Sequence, residues 1–588
     1  MKTEHATELS IVFPGEGDHL PCVPSTFVIG SAPPGANVVV NGLPARVHQD
    51  GGFIVSIPIE PGRFAISCTA TLSGRRLEQT VTVQVAGKRE PGPSEECWLD
   101  EGSVQPSTDR ALRPGDRLTV TCRGTPGAGA HFTIEQLVDG APMAEMPQGL
   151  PRPADSPPPF VFGADLSPFA EGEPGLYVGT YIIGPDDRVR DGRITVSLRG
   201  EKGSRAEAEA RGRLTVTSPP IPELAETQSP QTVVRTGPGM GYGAILPSGV
   251  IVEITGKVGN ECRVALSGTC QGWVDERSLT ALPAGTPAVM NQIAAIRTTS
   301  TPEGAAVAIP MDRPYAVLVA ERTDRRILHL TISRAVAHLD WARYGPEEHL
   351  VGEIIWQQVD PQTLEVELFL EEAIWGYRAA YEDPGFILHL RAAPPIDAAR
   401  PLLGRKLAID AGHSPEPGAV GPLGTLEKDV NLAIARSLDQ MCRERGASTT
   451  MIRTGDEAVP LTRRPEIARE AGAEILVSIH NNSVPPGVDP ERHNGFSTYY
   501  WHPHSLALAR SIHGRFAGML GLPDFGLYRA NLAMCRPADM IAVLVEPAFM
   551  IVPEQEALLR TAEFQQRCAR AVCEGLEAFL ISELERTS

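Results

Sequence analysis

Four proline-rich stretches divide this chain: KREPGPSEE (88–96), SPPIPELAETQSPQ (218–231), LPAGTPA (282–288) and RAAPPIDAARP (391–401). Proline fixes φ and lacks a backbone donor, so such stretches continue neither a helix nor a central strand and read as stiff linkers. A fifth run, LPRPADSPPPF (150–160), reads as a long loop inside the second piece. With ~100–200 residues per domain, 588 residues exceed one core. The pieces predicted are 1–87, 96–217, 230–284, 288–394 and 398–588.

The first four pieces read as β structure. The 57 glycines and 53 prolines are spread among short strand-like runs, which implies many turns. TFVIGS, ANVVVNG, GGFIVSIPI, RFAISCTATL and QTVTVQV predict a small β-sandwich over 1–87. RPGDRLTVTCRG, AHFTIEQL, GLYVGTYIIGPDD and GRITVSL predict a second sandwich over 96–217. Residues 230–284 fit a small barrel, and AVAIPM, YAVLVAE, RILHLTIS, LEVELFL and GFILHLRAA a further β-domain over 288–394.

The formal net charge of −19 argues against a general polyanion binder, because nucleic-acid proteins need basic surface to displace counterions. No apolar run approaches the ~18 residues of a membrane span. Residues 1–20 carry Glu4, Glu8, Glu16 and Asp18 and no apolar core of a signal peptide. Ten cysteines, with Cys262/Cys270, Cys22/Cys68 and Cys97/Cys122 falling within single β segments, hint at an oxidising compartment. Ten reduced thiols serving as core residues fit the sequence as well.

The last piece changes character. KLAIDAGH, STTMIRT, EILVSIHNN, FSTYYW and AVLVEPAF are strand-like. Between them lie helical patterns: Val430, Ile434, Leu438 and Met441 recur every three to four residues, and LTRRPEIAREAG and SLALARSIHGRFAGML follow. Alternating strand and helix predict an α/β domain with a largely parallel sheet, whose ligand site lies at the strand carboxyl ends. His413, His480 and Glu546 each end a strand, and Glu427 opens the helix between the first two. Two imidazoles and a carboxylate form a zinc environment that leaves a fourth position for water. Glu546 sits in the apolar run IAVLVEPAFMIV, where an uncompensated carboxylate is costly; it suits a general acid/base. Asp410 is expected to orient a ligand or cap the turn. His493, His502, His504 and His513 read as surface or helix residues.

The stretches IDAGHSPEPGAVGPLGTLEKDVNLAIA, MIRTGD, SIHNN, GFSTYYW, LALARSI and AVLVEPAFM occur in that order, with Glu427 14 positions after His413. In this, 405–580 resembles the zinc-dependent N-acetylmuramoyl-L-alanine amidases that cut bacterial cell wall. The resemblance implies that His413, Glu427 and His480 bind zinc and that Glu546 is the catalytic acid/base. Asn482 and Arg529, the latter ahead of NLAMCRP, which is read as a strand, are candidates to contact substrate. Ser414-Pro415 stand where the family usually has two glycines, and Pro547-Ala548 where it favours a glycine before phenylalanine. Of the front pieces, PPGANVVVNGLPARVHQDGGFIVSIPIEPG resembles bacterial immunoglobulin-like modules. VVRTGPG, LPSGVIVEI and GWVDERSL resemble bacterial Src-homology-3-like wall modules. The fourth piece stands where AMIN-type domains precede wall amidases.

The function expected is a peptidoglycan hydrolase of the cell envelope. It would cut the amide between N-acetylmuramic acid and the L-alanine of the stem peptide by zinc-activated water, and the β-modules would engage wall or envelope proteins. A zinc peptidase acting within the stem peptide and a non-catalytic wall-binding adaptor are the alternatives. Residues 481–495 hold three prolines and too short a run for a stable helix of ~12 residues, which predicts no helix blocking the cleft. A fragment 398–588 is then expected to work about as well as the whole chain.

Overall fold

The structure is a computed structural model that describes residues 8–87, 97–146, 174–217, 222–322 and 326–587. The proline runs at 88–96 and 150–160 lie outside the described residues. Among the described residues the front of the chain is β structure apart from a 3-10 turn at Glu276–Ser278, and the α-helices lie in the C-terminal part.

The first module has a four-stranded and a five-stranded sheet closing on Val28, Val38, Phe53, Ile66 and Val83. The second module has two groups of strands over one core around Val120, Phe132, Tyr177 and Val196. Leu99–Gln105, Arg117–Gly124 and Leu176–Ile182 pair in one group, and Gly129–Ile134, Ile194–Arg199 and Arg205–Glu209 in the other. Strand Val138–Glu145 links the two, pairing with Gly129–Ile134 and, at Ala144 and Glu145, with Leu176–Ile182. The proline-rich joint at 218–231 departs from expectation, because Glu223–Thr227 is a strand of the barrel paired with Ile251–Val258. The prolines cluster just ahead of ELAET, which itself contains none.

The second module and the barrel share a sheet through Arg110–Leu112, which pairs with Ile251–Val258. Arg263 and Asp116 form an ion pair at 2.6 Å across that junction. The domain over 288–394 buries Ile309, Leu330, Val366 and Phe386 between a five-stranded and a four-stranded sheet.

All ten cysteines are free thiols. In the 262–270 hairpin Cys262 faces Val274, and the Cys270 amide binds the Ser267 hydroxyl, so the register keeps the two thiols unpaired.

The C-terminal part has a six-stranded sheet in the order Ser448–Met451, Lys406–Ala411, Ile475–Ile479, Ile541–Glu546, Phe496–Tyr500, Asp524–Arg529. The first four are parallel. Phe496–Tyr500 runs antiparallel to Ile541–Glu546, and Asp524–Arg529 follows its direction. The run NLAMCRP, expected as a strand, contains a short 3-10 turn at Ala533–Cys535.

The helices are α1 (Glu427–Glu444), α2 (Arg463–Glu470), α3 (Leu506–Met519), α4 (Pro553–Leu559) and α5 (Ala562–Thr587). Helix α1 buries Val430, Ile434, Leu438 and Cys442, the i, i+4 stripe that faces the sheet. Helix α5, absent from the sequence reading, packs on α1 and α3 and supplies Phe564, Cys568, Val572, Leu576 and Phe579 to the core. No described helix is long and apolar enough to cross a membrane.

Candidate metal centre

Strand Lys406–Ala411 is followed directly by Gly412 and His413, and strand Ile475–Ile479 by His480. The two strands are parallel neighbours, so both histidines emerge at the same rim. Helix α1 begins at Glu427 and returns from that rim, which puts the Glu427 carboxylate between the rings. His413 Nε2 lies 3.0 Å from Glu427 Oε2, and His480 Nδ1 lies 3.1 Å from Glu427 Oε1. One ligand atom from each residue falls within 4.8 Å of the others.

Glu427 is buried, which opposes its ionisation, but hydrogen bonds from His413 and His480 outweigh burial and hold the carboxyl well below the usual carboxylate range. The amides of Ala419 and Asn481 and the side chain of Asn431 also donate to it, at 2.9, 3.1 and 3.1 Å. Glu427 is therefore an ionised, acceptor-only group, as a metal ligand must be.

The donor set fits zinc: two imidazole nitrogens and a carboxylate. The backbone is shaped around it. A Cβ on Gly412 would lie 2.2 Å from the His480 ring, and one on Gly418 would lie 2.5 Å from Glu427 Oε2. Any side chain at either glycine would displace a donor.

Two buried arginines fix the backbone before His413. Arg453 donates to the carbonyls of Ala411, Gly412 and Lys428 at 2.7, 3.0 and 2.6 Å. Arg464 donates to Asp410 and to the His413 carbonyl, both at 2.8 Å. Asp410 thus acts on the turn through Arg464 and Ser478 rather than on a histidine ring. His413 and Ser414 have φ of 64° and 100°, a region that favours glycine. The Ser414 hydroxyl is tied to Asp456 at 2.9 Å.

Glu546 ends the strand beside Ile475–Ile479 at the same rim. Burial, then the charge of Glu427, pushes its carboxyl up to about 8; hydrogen bonds from Ser497, Tyr499 and Asn482 oppose the rise. A carboxyl poised near neutrality can take and return a proton.

A family model described as N-acetylmuramoyl-L-alanine amidase matches residues 407–578. The Bacillus subtilis protein named "Uncharacterized protein YqiI" is 32% identical over 194 residues, which cover 33% of this chain and 93% of that protein. The chain belongs to the N-acetylmuramoyl-L-alanine amidase family. N-acetylmuramoyl-L-alanine amidase LytC of Bacillus subtilis is 32% identical over 184 residues, covering 30% of this chain and 36% of LytC. The solved catalytic domain of CwlV, an N-acetylmuramoyl-L-alanine amidase from Bacillus (Paenibacillus) polymyxa var. colistinus, is 32% identical. The match covers 30% of this chain and 98% of that one, with a TM-score of 0.28.

In the amidase domain Asn482 lies beside Glu546, with its amide 3.3 Å from the Tyr499 hydroxyl. Arg529 lies elsewhere. It is level with Tyr500, which is level with Val543, three residues back from Glu546 along the strand. Its guanidinium sits over the Trp501 ring, 5.0 Å from the centroid, and its Nε binds the Trp501 carbonyl. His504, expected at the surface or in a helix, is fully buried, 2.7 Å from Glu321 of the preceding β-domain.

Ser497 and Tyr499 escaped the sequence reading. Ser497 Oγ lies 3.2 Å from Glu546 Oε2 because the antiparallel strand begins where the Glu546 strand ends. The spacing SxY, one face of a strand, was the available signal. Glu556 of α4 was also missed. It accepts from the amides of Leu423 and Thr425 and so fastens the loop between His413 and Glu427. No α-helix occurs at 481–495, as expected.

Proposed function

We propose that this peptidoglycan amidase cuts the amide joining the lactyl group of N-acetylmuramic acid to the L-alanine of the stem peptide. His413, Glu427 and His480 would hold zinc, and Glu546 would act as the acid/base. The observation that carries this reading is the set of three donor atoms within 4.8 Å of one another, beside a buried carboxyl on the adjacent strand end.

Zinc, when bound there, supplies Lewis acidity and an acidified water. The chain's own groups do the rest. Glu427 is kept ionised by the hydrogen bonds it accepts from the Ala419 and Asn481 amides and the Asn431 side chain. Glu546 accepts a proton from the attacking water and later delivers it to the departing alanine nitrogen. Ser497 and Asn482 keep the Glu546 carboxyl oriented while it changes charge. His413 keeps a third of its side chain exposed (33%), which leaves the substrate a way in.

The front modules are read as immunoglobulin-like, Src-homology-3-like and AMIN-like domains that hold the enzyme on the wall or on envelope proteins. The cell-wall substrate supports an envelope location. A zymogram on purified peptidoglycan, run with and without a zinc chelator, tests the reading. Clearing that disappears with chelator and returns with zinc supports it; no clearing by zinc-loaded protein contradicts it.

A further inference from the structure

The first module lies against the amidase domain. Its antiparallel strands Ser25–Ser31 and Gly52–Pro58 bury side chains on both faces. Val28, Phe53 and Val55 fill the module's own core. Phe27, Ile29 and Ile54 point the other way and form one apolar cluster with Val484, Val488 and Phe549 of the amidase domain.

The contacts fall on each segment that leaves a functional residue. In the loop between His413 and Glu427, Pro422 is so close that a Cβ on Gly52 would lie 3.4 Å from it. In the loop after His480, Val484 and Val488 join the apolar cluster and Glu491 pairs with Arg46 at 2.8 Å. After Glu546, Phe549 joins the cluster and Glu554 pairs with Arg46 at 2.7 Å. The loop 481–495 has no helix or strand of its own, only a bridge from Asn482 to Phe549. Segments with so little regular hydrogen bonding are held by packing, and here the first module supplies one side of it, opposite Phe549, Ile551 and Val552. That same loop carries Asn482 to Glu546.

We propose that the first module is a working part of the amidase site: Phe27, Ile29, Ile54 and Arg46 are positioning residues that hold the three loops in catalytic geometry. The module flanks the site without closing it, since His413 stays partly exposed. This rests on the function proposed above.

The test uses the full chain, a soluble muropeptide and zinc-loaded protein. Ile54→Asp places an unpaired carboxylate in the seam, where it cannot stay buried cheaply. The variant keeps Phe53 and Val55 for the module's core. It should hold one zinc per chain and keep its KM, lose kcat about 10- to 100-fold, and exchange amide hydrogens faster at 484–488 and 549–552. Arg46→Glu sets like charges together and should lower kcat less; Arg46→Glu combined with Glu491→Arg and Glu554→Arg should restore it. If Ile54→Asp fails to fold, the charge swap decides. A folded Ile54→Asp with unchanged or raised kcat, or an Arg46→Glu loss that the swap does not restore, overturns the proposal. A wild-type protein that cleaves no muropeptide sinks the functional reading instead.

Discussion

Trp375 donates its indole N–H to Glu583 at 3.2 Å, from the β-domain into helix α5 of the amidase domain. Trp375 is fully buried, lies 5.5 Å from the Phe579 ring and belongs to the amidase core. The boundary drawn at 398 therefore cuts through a core rather than a linker. The expectation that 398–588 works alone loses its physical basis, because the fragment lacks both Trp375 and the cover over Val484 and Phe549.

Trp375→Ala should cost about 3–5 kcal/mol, the usual loss for a buried aromatic. Urea unfolding followed by a signal from the amidase domain measures it. A midpoint equal to wild type contradicts the shared core.

Three amidase strands were legible because each is a short apolar run leading into an ionisable residue, and parallel strands place such ends on one rim. His413, Glu427, His480 and Glu546 followed from that rule together with the family resemblance. Strand order and direction are tertiary properties, so the reversal of Phe496–Tyr500 hid Ser497 and set Arg529 level with Val543 rather than with Glu546. TFVIGS was read only as a strand of a small sandwich, yet its unbroken Phe27-Val28-Ile29 run marks a strand covered on both faces. Helix α5 was readable from the spacing of Phe564, Cys568 and Val572. The hydrogen-bond contact of His504 with Glu321 was not, since the two are far apart in sequence.

His480→Ala removes one of three donors. Zinc content of the purified protein, near one per chain in wild type, should fall sharply while the fold persists. Full occupancy by elemental analysis would show that His480 is not a ligand.

Glu556 gives a pH signature separate from catalysis. Burial raises its carboxyl to about 7 against an ordinary value of 4.5. Between those values the folded chain keeps a proton that the unfolded chain has lost. The stability contributed is full below about 4.5 and declines as pH rises to about 7, by at most ~1.4 kcal/mol per pH unit. Glu556→Gln cannot titrate, so its urea midpoint should drop less than that of wild type between pH 5 and 7. Parallel curves would contradict the assignment.

Glu546→Gln is nearly isosteric and leaves the three donors in place. It should keep zinc and the wild-type midpoint and lose turnover roughly 10²- to 10⁴-fold. Undiminished turnover would remove Glu546 from the mechanism.

The most direct test of the central claim is the identity of the bond cut. Purified muropeptides digested with the full chain should yield free stem peptides with an N-terminal L-alanine and glycans with an intact lactyl carboxylate, resolved by mass spectrometry. Products cut within the stem peptide, with muramic acid still joined to alanine, would contradict the account.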